Sequence, residues 1–177
     1  MKFELEDARR YAEAVVRSLK PFCEVCEIAG SVRRQKPLCS DIEVVCIPKR
    51  ESDLLGVDCG VCRGFAGKVN SWGAIRGEPN GKYTRRKLPL LSGFEASPEL
   101  DLFIARRSNF GWIFALRTGS AEFNAQYWLP RLRDAGYVSI SGDIRRMADS
   151  SLVDVPDEAA LFNLIKAEFV QPQQRNF

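Results

Sequence analysis

The sequence contains no histidine. This absence removes histidine-dependent catalytic triads, histidine metal sites and histidine general bases from consideration, and it disfavours most hydrolase classes. The chain also lacks an apolar run long enough to span a bilayer, and it begins with an acidic amphipathic segment instead of a signal-peptide pattern. We therefore expect a cytoplasmic protein with no membrane partner.

The remaining composition is that of a globular protein, with 45% hydrophobic and 28% charged residues among 177. This length suits one or two small domains. A net charge of +3 is too small to identify a nucleic-acid partner by itself, but local clusters of basic residues can bind phosphates. The clusters are Arg33-Arg34, Arg85-Arg86-Lys87, Arg131 with Arg133, and Arg145-Arg146.

The order of the predicted helices and strands indicates an α+β fold. Apolar residues recur at helical spacing from Leu5 to Leu19, and Pro21 closes that helix. β-branched residues predict a strand over 42–48. The further predictions are a strand over 25–29, a helix over 52–70, a hairpin of 72–78 and 82–89 around Pro79-Asn80-Gly81, and a strand over 99–104.

The segment Gly30-Ser31-Val32-Arg33-Arg34 combines groups that bind phosphates. A Gly-Ser turn lets backbone N–H groups approach a phosphate, and two guanidinium groups can clamp a polyphosphate. An ordinary turn with solvated arginines is the alternative, since short motifs produce many false matches.

Three acidic residues predict a magnesium site. Asp41 and Glu43 stand two residues apart, so a strand directs both to one face. Asp101 lies in a second apolar run, where an unpaired carboxylate is costly to bury. Mg²⁺ prefers such hard oxygen ligands. The alternative for the Asp-x-Glu pair alone is a solvated strand edge.

These motifs together resemble those of the X family of DNA polymerases, over roughly residues 4–175. The family carries a Gly-Ser-x-Arg-Arg turn, an Asp-x-Asp strand, a later strand with one Asp, and a Thr-Gly-Ser turn that opens a helix. This chain has Gly30 to Arg34, Asp41 with Glu43, Asp101, and Thr118-Gly119-Ser120 in the same order. Glu43 stands where the family usually has a second Asp. The chain matches the palm and C-terminal subdomain only, as in the very short viral members.

The resemblance implies a division of the chain into three parts. Residues 1–105 correspond to a nucleotidyltransferase palm, a mixed sheet flanked by helices. Residues 106–135 correspond to connecting helices with the Thr-Gly-Ser turn. Residues 136–177 correspond to a small α+β subdomain that contacts nucleotide and DNA. The residues themselves suggest one subdomain boundary, near Ala135-Gly136.

The activity implied by the resemblance is that of a monomeric DNA-directed DNA polymerase that fills short gaps in DNA repair. Two Mg²⁺ ions, for which Mn²⁺ can substitute, would assist nucleotidyl transfer from a dNTP to a primer 3′-hydroxyl. Asp41, Glu43 and Asp101 are the implied catalytic residues and metal ligands. The implied nucleotide-binding residues are Gly30, Ser31, Arg33, Arg34, Ser40, Thr118, Gly119, Ser120 and Asn124, and the candidate DNA contacts are Arg85, Arg86, Lys87 and Trp128.

Other interpretations remain open. The chain could be a template-independent nucleotidyltransferase, a nucleotidyltransferase with an acceptor other than DNA, or a non-catalytic module that binds nucleic acid. The basic strand near Arg85 could be a solvated sheet edge. Trp128 could stack on a base, but a tryptophan on a helix face more often belongs to the core.

Six cysteines include two Cys-x-x-Cys pairs, Cys23/Cys26 and Cys59/Cys62. A zinc site or a disulfide linking the pairs is one possibility, and reduced, partly buried thiols are the other. Cys39 and Cys46 flank the acids, but a soft thiolate is a poor ligand for Mg²⁺, so we interpret both as packing residues.

Overall fold

A computed structural model describes residues 2–176 of the chain. The chain divides after Ala105 into two compact units. The predicted connecting helices and the predicted C-terminal subdomain both belong to the second unit.

The first unit contains three helices and nine strands. Its helices are α1 (Leu5–Leu19), α2 (Gly30–Arg33) and α3 (Arg63–Asn70), with a 3₁₀ turn at Lys20–Phe22. Its strands are β1 (Phe3–Glu4), β2 (Cys23–Ile28), β3 (Leu38–Cys39), β4 (Ile42–Pro48), β5 (Arg50–Ser52), β6 (Asp58–Val61), β7 (Gly73–Arg76), β8 (Tyr83–Lys87) and β9 (Glu99–Ile104).

Five of these strands form a mixed sheet in the order β2-β4-β9-β8-β7. Strands β4 and β9 run parallel, and the other neighbouring pairs run antiparallel. The hairpin predicted around Pro79-Asn80-Gly81 is formed by β7 and β8. The expected α+β class, a mixed sheet with flanking helices, is confirmed for this unit.

Helix α1 covers one face of the sheet with the apolar stripe that its sequence predicts. Ala8, Tyr11, Val15 and Leu19 are buried, and they share one core cluster with residues of β4 and β9. Apolar burial of this kind is the main favourable contribution to folding. The opposite face of the sheet is left for polar residues near the start of β4.

The helix predicted over 52–70 is wrong in its first half. Strands β5 and β6 form an antiparallel hairpin there, and only α3 is helical. Gly56 and Gly60 adopt positive φ values of 79° and 102°, which favour turns over helix. The Asp53 carboxylate also accepts hydrogen bonds from two backbone N–H groups of the loop, at 2.8 and 2.9 Å. These local interactions outweigh the weak helical pattern.

The second unit combines helices with a three-stranded antiparallel sheet. Its helices are α4 (Phe110–Thr118), α5 (Ala121–Phe123), a π-helical turn at Asn124–Trp128, α6 (Leu129–Asp134) and α7 (Glu158–Leu164), with a 3₁₀ turn at Pro172–Gln174. Its strands are β10 (Tyr137–Ile140), β11 (Asp143–Arg146) and β12 (Leu152–Val153). None of the helices within residues 2–176 has the length and apolar character needed to cross a membrane.

A buried arginine anchors the C-terminal segment of the second unit. Arg175 is 0% exposed, and its guanidinium pairs with Glu158 at the start of α7. The same group lies over the rings of Trp128, Phe162 and Phe169, with centroid distances of 5.9, 5.5 and 5.3 Å. A buried ion pair leaves a costly unpaired charge when one partner is removed.

We expect Arg175→Met to lower the free energy of unfolding by about 3–5 kcal/mol, because it leaves the Glu158 carboxylate buried without its cation. The matched control is Arg50→Met, which breaks a surface pair with Asp58 whose side chains are each 54% exposed. That control should cost less than about 1 kcal/mol. Urea unfolding measures both, and equal losses for the two variants would contradict the assigned role of Arg175.

Candidate active site

Three carboxylates lie on one face of the five-stranded sheet. Asp41 immediately precedes β4, Glu43 lies within β4, and Asp101 lies in β9. The parallel register sets Glu43 directly opposite Asp101. Because side chains alternate between the two faces of a strand, the neighbouring Ile42 and Leu100 point into the core on the opposite face. The sheet therefore gathers three acids that are far apart in sequence.

Arg85 places a positive charge among these carboxylates. Strand β8 pairs Arg85 with Asp101. Its Nη2 lies 3.6 Å from Asp41 Oδ2, and its Nε lies 3.1 Å from Asp101 Oδ1 and 3.0 Å from Glu99 Oε2. The Nε–H is not aligned for a hydrogen bond with either oxygen, so these contacts are ion pairs. One guanidinium thus partly compensates the charges of Asp41, Glu99 and Asp101.

The electrostatic environment of Asp41 is unfavourable to its ionised form. Burial raises the pKa of Asp41, and the negative charge of Asp101 raises it further. Two neighbours oppose this shift. The Ser40 hydroxyl donates a hydrogen bond to Asp41 Oδ1 at 3.3 Å, and the charge of Arg85 also lowers the pKa. Crowded carboxylates of this kind favour binding of a cation.

Tyr83 adds a hydrogen bond to the same face. Its hydroxyl donates to Asp101 Oδ1 at 2.6 Å. Burial, followed by this hydrogen bond and the charge of Asp101, raises the pKa of Tyr83 to about 12. Tyr83 therefore remains a protonated donor at neutral pH and fixes one oxygen of the Asp101 carboxylate.

Gly30 brings its backbone against Glu43. Its φ is +61°, a conformation that favours glycine. A Cβ atom at this position would lie 1.9 Å from Glu43 Oε2, so no side chain larger than hydrogen fits while Glu43 keeps its position. The glycine turn therefore lies against the acid strand.

Ser31, Arg33 and Arg34 follow in the turn, and all three are partly buried. The Ser31 hydroxyl oxygen is buried and has no hydrogen-bond partner among residues 2–176. Burial lowers the pKa of Arg34, and the negative charge of Glu43 is the largest effect that opposes this shift. Arg34 therefore lies within the electrostatic field of the acids.

The Thr-Gly-Ser segment of the second unit forms the predicted turn between helices. Ser120 accepts a hydrogen bond from the Phe123 N–H at 3.0 Å, and its own N–H donates to the Arg175 carbonyl at 3.0 Å. Thr118 is buried. Asn124 donates its side-chain amide to the Leu116 carbonyl at 2.8 Å. The turn is thus closed by internal hydrogen bonds.

Asn124 also packs tightly beneath this turn. A Cβ atom on Gly119 would lie 2.4 Å from Asn124 Oδ1. That oxygen is buried and has no hydrogen-bond partner in the described part of the chain. The carboxamide therefore has its NH2 group bonded to backbone carbonyls and its oxygen without a hydrogen-bond partner among the described residues.

Two of the four candidate DNA contacts are buried. Trp128 is 0% exposed and belongs to the core of the second unit, so it offers no face to a base. Arg86 is 2% exposed and donates to the Gly77 carbonyl at 3.1 Å. Arg85 is engaged by the acids, and Lys87 is exposed. The alternation of side chains across β8 explains why adjacent basic residues have such different surroundings.

Sequence reasoning missed the contribution of Tyr83 and the role of Arg85 as a counter-ion. The only sequence signal was their spacing, since residues two apart in a strand share a face. That signal could not reveal which strand lies beside β8. Pairing of β8 with β9 is what brings both side chains to Asp101.

The three acids have the ligand type of a divalent-cation site, because carboxylate oxygens are the hard ligands that Mg²⁺ prefers. They also lie on the same face of the sheet. They are not converged on one point. Among the described residues, no three Asp, Glu or Cys side chains lie close enough together to hold a metal ion. Arg85 provides the positive charge in this arrangement.

The absence of a metal-binding group among the described residues also applies to the two Cys-x-x-Cys pairs. Cys59 is exposed in the β5–β6 hairpin, whereas Cys23 is buried in β2. All six cysteines are free thiols. The structure thus gives no zinc or disulfide link between the pairs, and Cys46 is fully buried as expected for a packing residue.

Comparison of the chain with protein-family models and with curated proteins gave no match in either case.

We expect Asp41→Asn to raise the free energy of unfolding at neutral pH. The folded state raises the pKa of Asp41, so the native protein binds more protons than the unfolded chain between the two pKa values. Stability therefore falls as pH rises through that window, and the asparagine removes this loss. The gain should vanish below the unfolded pKa of about 3.9. Urea unfolding at neutral and acidic pH measures the difference.

Asp58→Asn is the control, because the pKa of Asp58 is shifted in the opposite direction to that of Asp41. A hydrogen bond from Arg50, followed by one from the Gly60 N–H, lowers the pKa of Asp58. This variant should lose stability at neutral pH, and the loss should disappear as the pH falls through the folded pKa. Destabilisation of both variants at neutral pH would contradict the assigned environment of Asp41.

Gly30→Ala should lower the free energy of unfolding by at least about 2 kcal/mol, because it combines a positive φ with a clash against Glu43. Gly56 also has a positive φ, +79°, but has no atom within 4 Å of an added Cβ. Gly56→Ala should therefore cost only about 1 kcal/mol. Gly67, in α3, has open space as well, and Gly67→Ala should stabilise by up to about 1 kcal/mol. Thermal and urea unfolding measure the three changes. Any other order of stability among these variants would contradict the prediction.

Proposed function

We propose that the protein is a nucleotidyltransferase of X-family type, a DNA-directed DNA polymerase that adds a dNTP to a primer 3′-hydroxyl in short gaps of DNA. The first unit would then be a nucleotidyltransferase palm. The observation that carries the proposal is the placement of Asp41, Glu43 and Asp101 on one sheet face, against the Gly30 turn.

The carboxylates define the chemistry of the proposed reaction. Asp41, Glu43 and Asp101 would hold Mg²⁺ or Mn²⁺, which when bound neutralises phosphate charge and lowers the pKa of an attacking hydroxyl. Glu43 lies where a side chain on Gly30 would clash with it, and Asp101 accepts a hydrogen bond from Tyr83. The three carboxylates do not converge on one point among the described residues, so their side chains would turn toward a bound cation.

The glycine turn would bind the nucleotide phosphates. The buried Ser31 hydroxyl has no protein partner among the described residues, so it can bond a phosphate oxygen without losing another hydrogen bond. Arg33 and Arg34 supply guanidinium groups next to it, and these bind phosphate through paired N–H donors. Ser40, which bonds Asp41, would connect the phosphate-binding residues to the acids.

Arg85 would balance the acids whenever nucleotide is absent. Its guanidinium lies within ion-pair distance of Asp41, Glu99 and Asp101. Without this charge, three carboxylates on one face would repel one another strongly. Arg85 therefore acts in the proposal as a positioning residue that keeps the acids together.

Thr118, Gly119, Ser120 and Asn124 keep their proposed roles as nucleotide contacts on the strength of the resemblance. The unsatisfied Asn124 oxygen is the feature of the second unit that supports this role, because a buried acceptor without a partner is costly. A donor on a ligand would satisfy it.

A second candidate function is a non-catalytic module that binds nucleic acid. The observation that favours it is the same Arg85, because a protein cation among the acids provides charge balance without any metal. This module would bind phosphates through the basic residues alone. The two candidates differ in one measurable property, which is nucleotide addition.

The test is incubation of the purified protein with Mg²⁺ or Mn²⁺, a labelled primer on a one-nucleotide-gapped template, and each dNTP or NTP separately. We expect addition of the complementary dNTP only. Asp101→Asn should lower the rate by at least about 100-fold, since it removes one charge at the centre of the site without changing side-chain size. Single-turnover extension assays measure this loss.

Asp149→Asn is the control, because Asp149 is an exposed acid of the second unit. It should retain the wild-type rate. Full activity of Asp101→Asn would exclude the proposed site. Addition that ignores the template would indicate a terminal transferase, and no addition of any nucleotide would favour the binding module.

A further inference from the structure

Three cysteines meet at the junction of strands β2 and β4, on the sheet face that α1 covers. Cys26 lies directly opposite Cys46 in the antiparallel register. Cys23 and Cys46 belong to the core of the first unit, and Cys26 packs against that core. This cluster, here called the thiol cluster, takes no part in the proposed nucleotidyl transfer.

An irregularity in β2 creates the cluster. Residues three apart in a regular strand point to opposite faces and lie about 10 Å apart. The register shifts between Cys23 and Val25, so that Cys23 pairs with Pro48 while Cys26 pairs with Cys46. Such a bulge returns Cys23 to the face of Cys26. It also shortens their separation along the strand to about 6.8 Å, at the upper end of the Cα spacing of disulfides.

The thiol cluster is open to small molecules on one side. Cys23 and Cys26 both line a cavity of about 390 Å³, together with Val16, Lys20, Glu24, Val25 and Glu27. Cys26 is partly exposed, whereas Cys46 is 0% exposed. The cavity therefore gives a small uncharged reagent an approach to Cys26 and to Cys23, which is 7% exposed, whereas Cys46 does not line it.

The pKa values of the three thiols are shifted in different directions. Hydrogen bonds from Cys26 and then Cys46 lower the pKa of the Cys23 thiol well below its usual range, and the charge of Lys49 adds to this effect against the opposing effect of burial. The hydrogen bond to Cys23 raises the pKa of both donors. Of the three thiols, Cys23 is the one whose pKa is lowered, and the thiolate is the reactive form of cysteine.

We propose that Cys23 and Cys26 form an oxidation site that takes hydrogen peroxide as its substrate and closes to a disulfide. The observations that carry this assignment are the bulge that places the two sulfur atoms together and the cavity that both line.

The reaction proceeds in two balanced steps. The Cys23 thiolate attacks one peroxide oxygen, the O–O bond breaks, and hydroxide leaves, so that Cys23 becomes a sulfenic acid. The Cys26 sulfur then attacks the Cys23 sulfur, the S–O bond breaks and the S–S bond forms. The leaving hydroxide takes the Cys26 proton and departs as water. Two thiols are oxidised, and one peroxide is reduced.

The test uses the reduced wild-type protein and a stoichiometric amount of hydrogen peroxide near neutral pH. Free thiols are blocked, the disulfides are reduced, and the released thiols receive a second, heavier label before peptide mass spectrometry. We expect the second label on Cys23 and Cys26 together. A disulfide that instead contains Cys46 or Cys62, or oxidation of Cys59 before Cys23, would overturn the proposal.

Cysteine variants distinguish the role of Cys23, which attacks peroxide, from that of Cys26, which closes the disulfide. Cys26→Ser should stop the reaction at the Cys23 sulfenic acid, which dimedone traps at least about tenfold more than any sulfenic acid at the exposed Cys59. Cys23→Ser should abolish both the disulfide and the dimedone adduct. Cys59→Ser is the matched control and should form the disulfide at the wild-type rate.

Equal dimedone labelling of Cys23 and Cys59 in the Cys26→Ser variant would exclude the assigned reactivity. The wild-type mapping needs no substitution, so it decides the proposal even where a cysteine variant fails to fold. None of these measurements depends on nucleotide addition, and the proposed polymerase activity can fail without affecting this result.

Discussion

The parallel pairing of β4 with β9 is the constraint on which the candidate site depends. It aligns Glu43 with Asp101 and, by alternation, directs Ile42 and Leu100 into the core. A shift of one residue in this register would bury the acids and expose the apolar side chains. The hydrophobic core and the acidic face are therefore fixed by the same register, so that folding of the first unit also assembles its candidate chemistry.

An acidic face of this kind requires charge compensation, and the structure supplies it from a neighbouring strand. Arg85 on β8 reaches Asp41, Glu99 and Asp101, and Tyr83 on the same strand holds one oxygen of Asp101. Burial and repulsion still raise the pKa of Asp41, so the compensation is incomplete. The remaining unfavourable energy is what a bound cation could relieve, which connects the electrostatics of the fold to the proposed activity.

Irregular backbone accounts for the two features that a regular strand or helix could not provide. Gly30, with its positive φ, lets the turn approach Glu43 closely enough to exclude any Cβ. The bulge in β2 brings Cys23 beside Cys26. In the second unit, the ion pair between Arg175 and Glu158 has a comparable role. It fixes Arg175, whose backbone carbonyl accepts a hydrogen bond from the Ser120 N–H. Each feature joins residues that local periodicity alone would separate.

The sequence by itself determined helix α1, strand β4, the β7–β8 hairpin, and the sharing of one face by Asp41 and Glu43, because these depend on periodicity and turn residues within a few positions. It did not determine the β5–β6 hairpin, where glycines and an Asp-capped turn outweighed a helical pattern. Only the tertiary structure decided that Arg85 joins the acids and that Trp128 is buried. Which strands pair, and which side chains of different elements meet, are long-range properties that short-range sequence patterns do not encode.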